Sequence, residues 1–261
     1  MVPADEERIH GIWDELSDIE ASRPEEAAAF LMTALCRITG ARHATWAGAI
    51  RIATADHDDP LEGWRVASMQ ALPTSAEPPP PAPEERFRAI LKIWDRREID
   101  PSFLLPLRDV GRFRTYAFRR DLPRSWFSSP FYREHYRAAG IHDAAFVAFP
   151  LNGDCESHFG FYADRRFRDA DIARLALALR GVKWFHRRLM LSYGLLVASA
   201  PMTPTERAVL RLLLTDASEK HIALRVGIAV STTHQHILSI YGKFGVRSRA
   251  GLMSLWLTRA A

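Results

Sequence analysis

The chain has 261 residues, 48% of them hydrophobic and 25% charged, with a formal net charge of +4. That is room for two domains and ample apolar content for a buried core, so a disordered or fibrous chain is excluded. Its two cysteines, Cys36 and Cys155, make no disulfide framework; no stretch approaches the roughly eighteen uncharged apolar residues of a membrane span, and the acidic start, Met1 to Glu7, lacks the apolar core of a secretory signal.

Residues Asp5 to Glu20 suit an amphipathic helix, with Ile9, Ile12, Trp13, Leu16 and Ile19 on one stripe. Ser22 and Pro24 announce a second helix, from Glu25 to about Thr39, stopped by Gly40. Two strand-like runs follow, Ala44 to Ala53 and Trp64 to Ala71, parted by Asp56-His57-Asp58-Asp59-Pro60. A histidine among aspartates suggests metal, but no second cluster stands at ligand spacing, so a solvated turn is expected. Pro73 to Pro83, with four consecutive prolines, reads as a stiff exposed loop, and Glu84 to Arg97 returns to helical period.

A strand is expected near Phe113 to Phe118, then a short helix from Phe131 to Ala138 closed by Gly140. Ala144 to Leu151 and His158 to Ala163 read as a hairpin joined through Asn152-Gly153-Asp154, and Arg168 to about Leu191 as one long helix. The weakly patterned stretch from Ser192 to Pro201 reads as a linker. The order of elements predicts an α+β front domain over residues 1–191, an antiparallel sheet with flanking helices.

Residues 202–261 read as four short helices. Thr203, Pro204 and Glu206 form a start signal in which the threonine caps the helix and the glutamate returns the bond. Ser218 caps a second helix, and Gly227 supplies the tight turn before a third, from about Val230 to Phe244. On that helix Thr233, Ile237, Ile240, Tyr241 and Phe244 are expected inward, and Ser231, His234, Gln235 and Ser239 outward. A last helix, Arg249 to Arg259, offers Leu252, Leu255 and Trp256 for packing. Eight basic residues outnumber three acidic ones here, the electrostatic footprint of a nucleic-acid-binding domain.

This segment resembles the DNA-binding domain of LuxR-type transcriptional regulators. The likeness rests on Thr203-Pro204 with Glu206-Arg207, Ser218-Glu219-Lys220 with Ile222-Ala223, Gly227-Ile228, Thr232, His236, and Lys243 to Val246 with Ser248-Arg249. It departs at Ala229, where the family has a capping serine or threonine, and at His234, where it has lysine. The resemblance implies a cytoplasmic homodimer on double-stranded DNA with its third helix in the major groove. By the same resemblance His234, Gln235 and Leu238 would meet bases, while Lys220, Ser231, Thr232, Ser239 and Lys243 would meet phosphates. A homologous regulator is not expected to be an enzyme.

The end of the front domain, Phe146 to Leu191, resembles the last strands and helix of GAF- or PAS-like sensor domains. A small-molecule effector is the expected signal, held in an apolar pocket whose candidate wall is Trp46, Trp64, Tyr116, Trp126, Tyr132 and Phe159. No phospho-receiver pattern, phosphate-cradling loop or metal cluster is present, so no cofactor is expected. The alternatives are a ligand-free regulator controlled by a protein partner, or an acyl-homoserine lactone receptor. Asp100-Pro101 echoes the Asp-Pro of such receptors, but their tryptophan and tyrosine, four apart ahead of that aspartate, are missing. As an enzyme the chain would need Cys155 as nucleophile, or one of His135, His142, His158 and His186 as base; no orienting group or oxyanion motif accompanies them.

Overall fold

The computed structural model describes residues 3–52, 58–72, 89–90, 92–93, 96 and 99–257. The expected proline-rich loop and most of the helix after it, together with Asp56 and His57, lie outside the described residues. The chain divides into two compact units, one of Met1–Leu16 and Ala28–Lys183, the other of Ser17–Ala27 and Trp184–Ala261.

The first unit is built on a five-stranded antiparallel sheet of order β2-β1-β5-β4-β3. Its strands are β1 (His43–Arg51), β2 (Trp64–Ala71), β3 (Arg114–Ala117), β4 (Asp143–Asn152) and β5 (Cys155–Ala163). Two helices precede it, α1 (Pro3–Asp18) and α2 (Pro24–Thr39). Between β2 and β4 lie α3 (Pro101–Leu104), α4 (Phe118–Asp121) and α5 (Pro130–His135), with two short 3-10 turns. The expected hairpin is present, but its second strand starts at Cys155, three residues earlier than the apolar pattern suggests.

Strand alternation sorts the sheet's side chains into two sets. Trp46, Val147, Phe159 and Phe161 share one parity and are fully buried. Thr45, Ala47, Phe146, His158 and Tyr162 take the other, toward a cluster centred on Phe118, which lies 5.0 to 5.3 Å from the rings of Trp126, Tyr136 and Phe146. Local polar bonds fold the connecting segment: Asp100 accepts from the Ser102 amide at the start of α3, and Ser129 accepts from the Tyr132 amide at the start of α5.

The helix expected from Arg168 to Leu191 is two helices, α6 (Asp169–Arg180) and α7 (Lys183–Ser192). The break falls at Gly181, where the indole of Trp13 occupies the place of a side chain: a Cβ there would lie 2.2 Å from Cζ2. Trp13 Nε1 also donates to the Ala178 carbonyl at 2.8 Å, seating α1 on α6.

The second unit holds α8 (Pro204–Leu213), α9 (Glu219–Val226), α10 (Val230–Phe244) and α11 (Arg249–Leu257). Its core gathers Val209, Leu210, Leu213, Ile222, Ile237, Ile240, Phe244 and Leu252. Both halves of the expected capping box are made: Thr203 Oγ1 accepts from the Glu206 amide, and Glu206 Oε2 accepts from the Thr203 amide. Gly227 and Gly245 adopt φ of +75° and +66°, the left-handed closures of α9 and α10. No described helix is long and apolar enough to cross a membrane.

Candidate functional site

Two sites emerge, one in each unit. In the second unit α9, the Gly227 turn and α10 form a helix-turn-helix. The spacing of buried Thr233, Ile237, Ile240 and Phe244 seats one side of α10 in the core. Ser231, Thr232, His234, Gln235, Leu238 and Ser239 are left exposed on the other. Ala229 precedes α10 without a side-chain cap, and Thr233 donates back to its carbonyl at 3.1 Å.

The polar groups of this face are unequally engaged. Lys220 is exposed on the first turn of α9. His234 Nδ1 stands 3.2 Å from the Glu219 carboxylate, both side chains about half exposed. Ser239 and Lys243, expected at phosphates, have another use within the domain. Ser239 Oγ donates to Glu206 Oε1 at 2.8 Å, and Lys243 Nζ donates to Glu206 Oε2 at 2.6 Å and to the Pro201 carbonyl at 3.1 Å. Burial alone would raise the Glu206 carboxyl; the bonds from Lys243, Thr203 and Ser239 hold it at about 2.

Arg249, part of the matched motif in sequence, has a structural task that the sequence did not show. Its guanidinium donates to the carbonyls of Leu213 and Ala217, each at 2.8 Å, and also to those of Leu212 and Thr215. It thereby satisfies carbonyls at the end of α8, which have no partner within the helix.

The first unit contains an apolar cavity of about 140 Å³ against the sheet. Thr45, Ala47 and Ala49 of β1 line it, with Glu156, His158, Gly160 and Tyr162 of β5, Tyr116, Phe146, and Ser102 and Phe103 from α3. Of the six expected wall residues the structure brings Trp64 and Tyr116 to the cavity. Trp46 and Phe159 belong to the opposite strand parity, and Trp46 Nε1 donates to Ser157 Oγ. Trp126 and Tyr132 are core members near Phe118, with Trp126 Nε1 donating to Asp100 at 2.8 Å. Asp100 also accepts from the Ser102 amide and hydroxyl, so its carboxylate is spent inside the fold.

One end of the cavity is polar, and the apolar pattern gave little sign of it. Glu156 accepts two bonds from Arg114, at 2.9 and 2.7 Å, and one from the Gly111 amide at 2.9 Å. His158 Nε2 lies 3.1 Å from Glu156 Oε2, and His158 Nδ1 lies 3.4 Å from the Tyr116 hydroxyl. Burial would raise the Glu156 carboxyl, but His158 and Arg114 hold it near 2, so it is an ionised acceptor. Alternation along β5 places Glu156, His158, Gly160 and Tyr162 on one face once the strand is known to begin at Cys155. Cys155 belongs to the opposite parity from His158, and burial pushes its thiol up to about 12, the reverse of what a nucleophile needs. Cys36 is likewise pushed up to about 12 by burial.

Among known proteins, residues 200–256 match the family described as "Bacterial regulatory proteins, luxR family". The probable HTH-type transcriptional regulator GfsR of Streptomyces halstedii is 36% identical over 59 residues, which are 23% of this chain and 24% of that relative. Among solved structures, the VqsR LBD domain from Pseudomonas aeruginosa aligns at TM-score 0.45 and 14% identity, covering 73% of this chain and 98% of that one. Escherichia coli SdiA aligns at TM-score 0.47 and 13% identity, covering 95% and 94%.

Proposed function

We propose, from the premise that residues 200–256 are a regulatory domain of the LuxR family, that this chain is a sequence-specific DNA-binding transcriptional regulator. Its first unit binds a small effector that controls DNA binding. The observation that carries the DNA half is the exposed side of α10, the second helix of a helix-turn-helix, whose opposite side is seated in the core. In the major groove Gln235 offers an amide that pairs bidentately with adenine, and Leu238 meets a thymine methyl. His234 takes the third base-facing position, while Lys220, Ser231 and Thr232 face phosphates, with Ser239 and Lys243 at the edge of the contact.

The chain acts as a homodimer in the cytoplasm, each copy reading one half of a two-fold symmetric site. Met253 and Leu257, exposed apolar residues of α11, support a second copy as partner. The cavity supports the effector half, being apolar with a few convergent polar groups.

Selection of duplexes from a random library by the full chain tests the reading. Enrichment of one two-fold symmetric sequence is the expected result, and equal retention of all sequences would overturn it.

A further inference from the structure

The size, charge and shape of the cavity restrict what it holds, given the effector-binding reading above. At about 140 Å³ it is close to the engineered cavity of about 150 Å³ that accepts benzene. A single ring fills that volume.

Charge narrows the choice. Arg65 on the wall lies 3.0 Å from the buried Asp59 carboxylate, and Glu156 is held bidentately by Arg114. Among the described residues these two cations each have a carboxylate of their own, so a charged ligand would lose its hydration without gaining a counter-ion from either. Flat walls favour a ring: Tyr116 and Phe146 stack at 4.8 Å with their planes 12° apart, and Trp64, Phe103 and Tyr162 complete an aromatic lining.

The polar end specifies the ligand's handle. His158 turns Nε2 to the Glu156 carboxylate, which leaves its Nδ1 beside the Tyr116 hydroxyl as the polar pair at this end. The buried Tyr116 hydroxyl approaches that nitrogen only to 3.4 Å, which is long for an O–H bond. A ligand hydroxyl, donor and acceptor at once, bonds to both groups.

We propose that the cavity binds an uncharged, single-ring, hydroxyl-bearing molecule of phenol type, hydrogen-bonded to Tyr116 and His158. The test is calorimetric titration of the full chain with phenol, toluene, benzoate, benzylamine and 1-decanol. Phenol should saturate about tenfold more tightly than toluene, the worth of one good hydrogen bond. Benzoate and benzylamine should not saturate. Tyr116→Phe should remove the advantage of phenol while keeping toluene binding, which also shows that the variant is folded. If Tyr116→Phe does not fold, His158→Leu serves the same comparison.

Tighter binding of either ion or of decanol, or an advantage for phenol that survives both substitutions, would overturn this ligand class and leave the effector cavity standing. Failure of all five probes to bind would overturn the effector-binding reading with it.

Discussion

Lys243 Nζ lies 2.6 Å from Glu206 Oε2, joining the far end of α10 to the first turn of α8. The carboxylate is almost fully buried and the lysine mostly so. Removing the lysine leaves a buried anion supported only by Ser239 and Thr203, at a cost of about 3 kcal/mol. Lys243→Ala should therefore lower the unfolding midpoint of the second unit, and Lys243→Ala with Glu206→Gln should recover part of it. Equal midpoints for wild type and Lys243→Ala would show the pair to be idle.

The same chemistry gives an acid limb to stability. Glu206 and Glu156 both have folded pKa values held down at about 2, against 4.5 for a free glutamate. A depressed carboxylate stabilises the fold fully above its unfolded pKa, and that contribution is lost as pH falls through the folded one. Stability should be level in this respect above about pH 5 and should decline between about 4.5 and 2, with Glu156→Gln and Glu206→Gln each flattening the slope. Denaturant unfolding across that range checks it; parallel slopes for wild type and both variants would contradict it.

On DNA, Gln235→Ala should relax base preference at its position, costing about 1 to 3 kcal/mol on the preferred site and little on random duplex. Lys220→Ala should weaken all sequences alike and reduce the salt slope by about 1. Equal loss on all duplexes for Gln235→Ala, or an unchanged slope for Lys220→Ala, would remove that residue from its role.

Glu219 places a carboxylate beside His234, a residue proposed to meet bases. In the proposed docking, Glu219→Gln removes a negative charge near the DNA and should tighten binding by about threefold at low salt, with the gain shrinking as salt rises. Fluorescence anisotropy at two salt concentrations tests this, and weaker binding by the variant would oppose it.

Gly181→Ala sets a methyl group against the Trp13 indole, where the Cβ would lie 2.2 Å from the ring. The residue's own φ of −69° is open to alanine, so the cost is overpacking alone, about 1 to 3 kcal/mol. Trp13→Leu should relieve much of it, which thermal unfolding of the single and double variants would show.

The sequence alone carried whatever depends on near neighbours. The capping box of Thr203 and Glu206, the Gly227 turn and the inward stripe of α10 are local: a cap acts within one turn, and helical period sorts faces without a partner. That is why the helix-turn-helix and the exposed side of α10 were legible, as was the α+β class of the first unit. Tertiary structure decided the rest, because it depends on residues far apart in the chain. Arg114 reaches Glu156 across 42 positions and Lys243 reaches Glu206 across 37. Glu206 reads in sequence only as a capping residue and Glu156 lies outside the expected strands, yet each becomes the fixed anion of a buried network. The cavity wall follows strand parity, but both faces of β5 are buried, so parity alone did not say which face holds the cavity, and Glu156 lay outside the expected strand. Trp46 and Phe159 are as aromatic as Trp64 and Tyr116, and only the face of the sheet they occupy separates core from cavity.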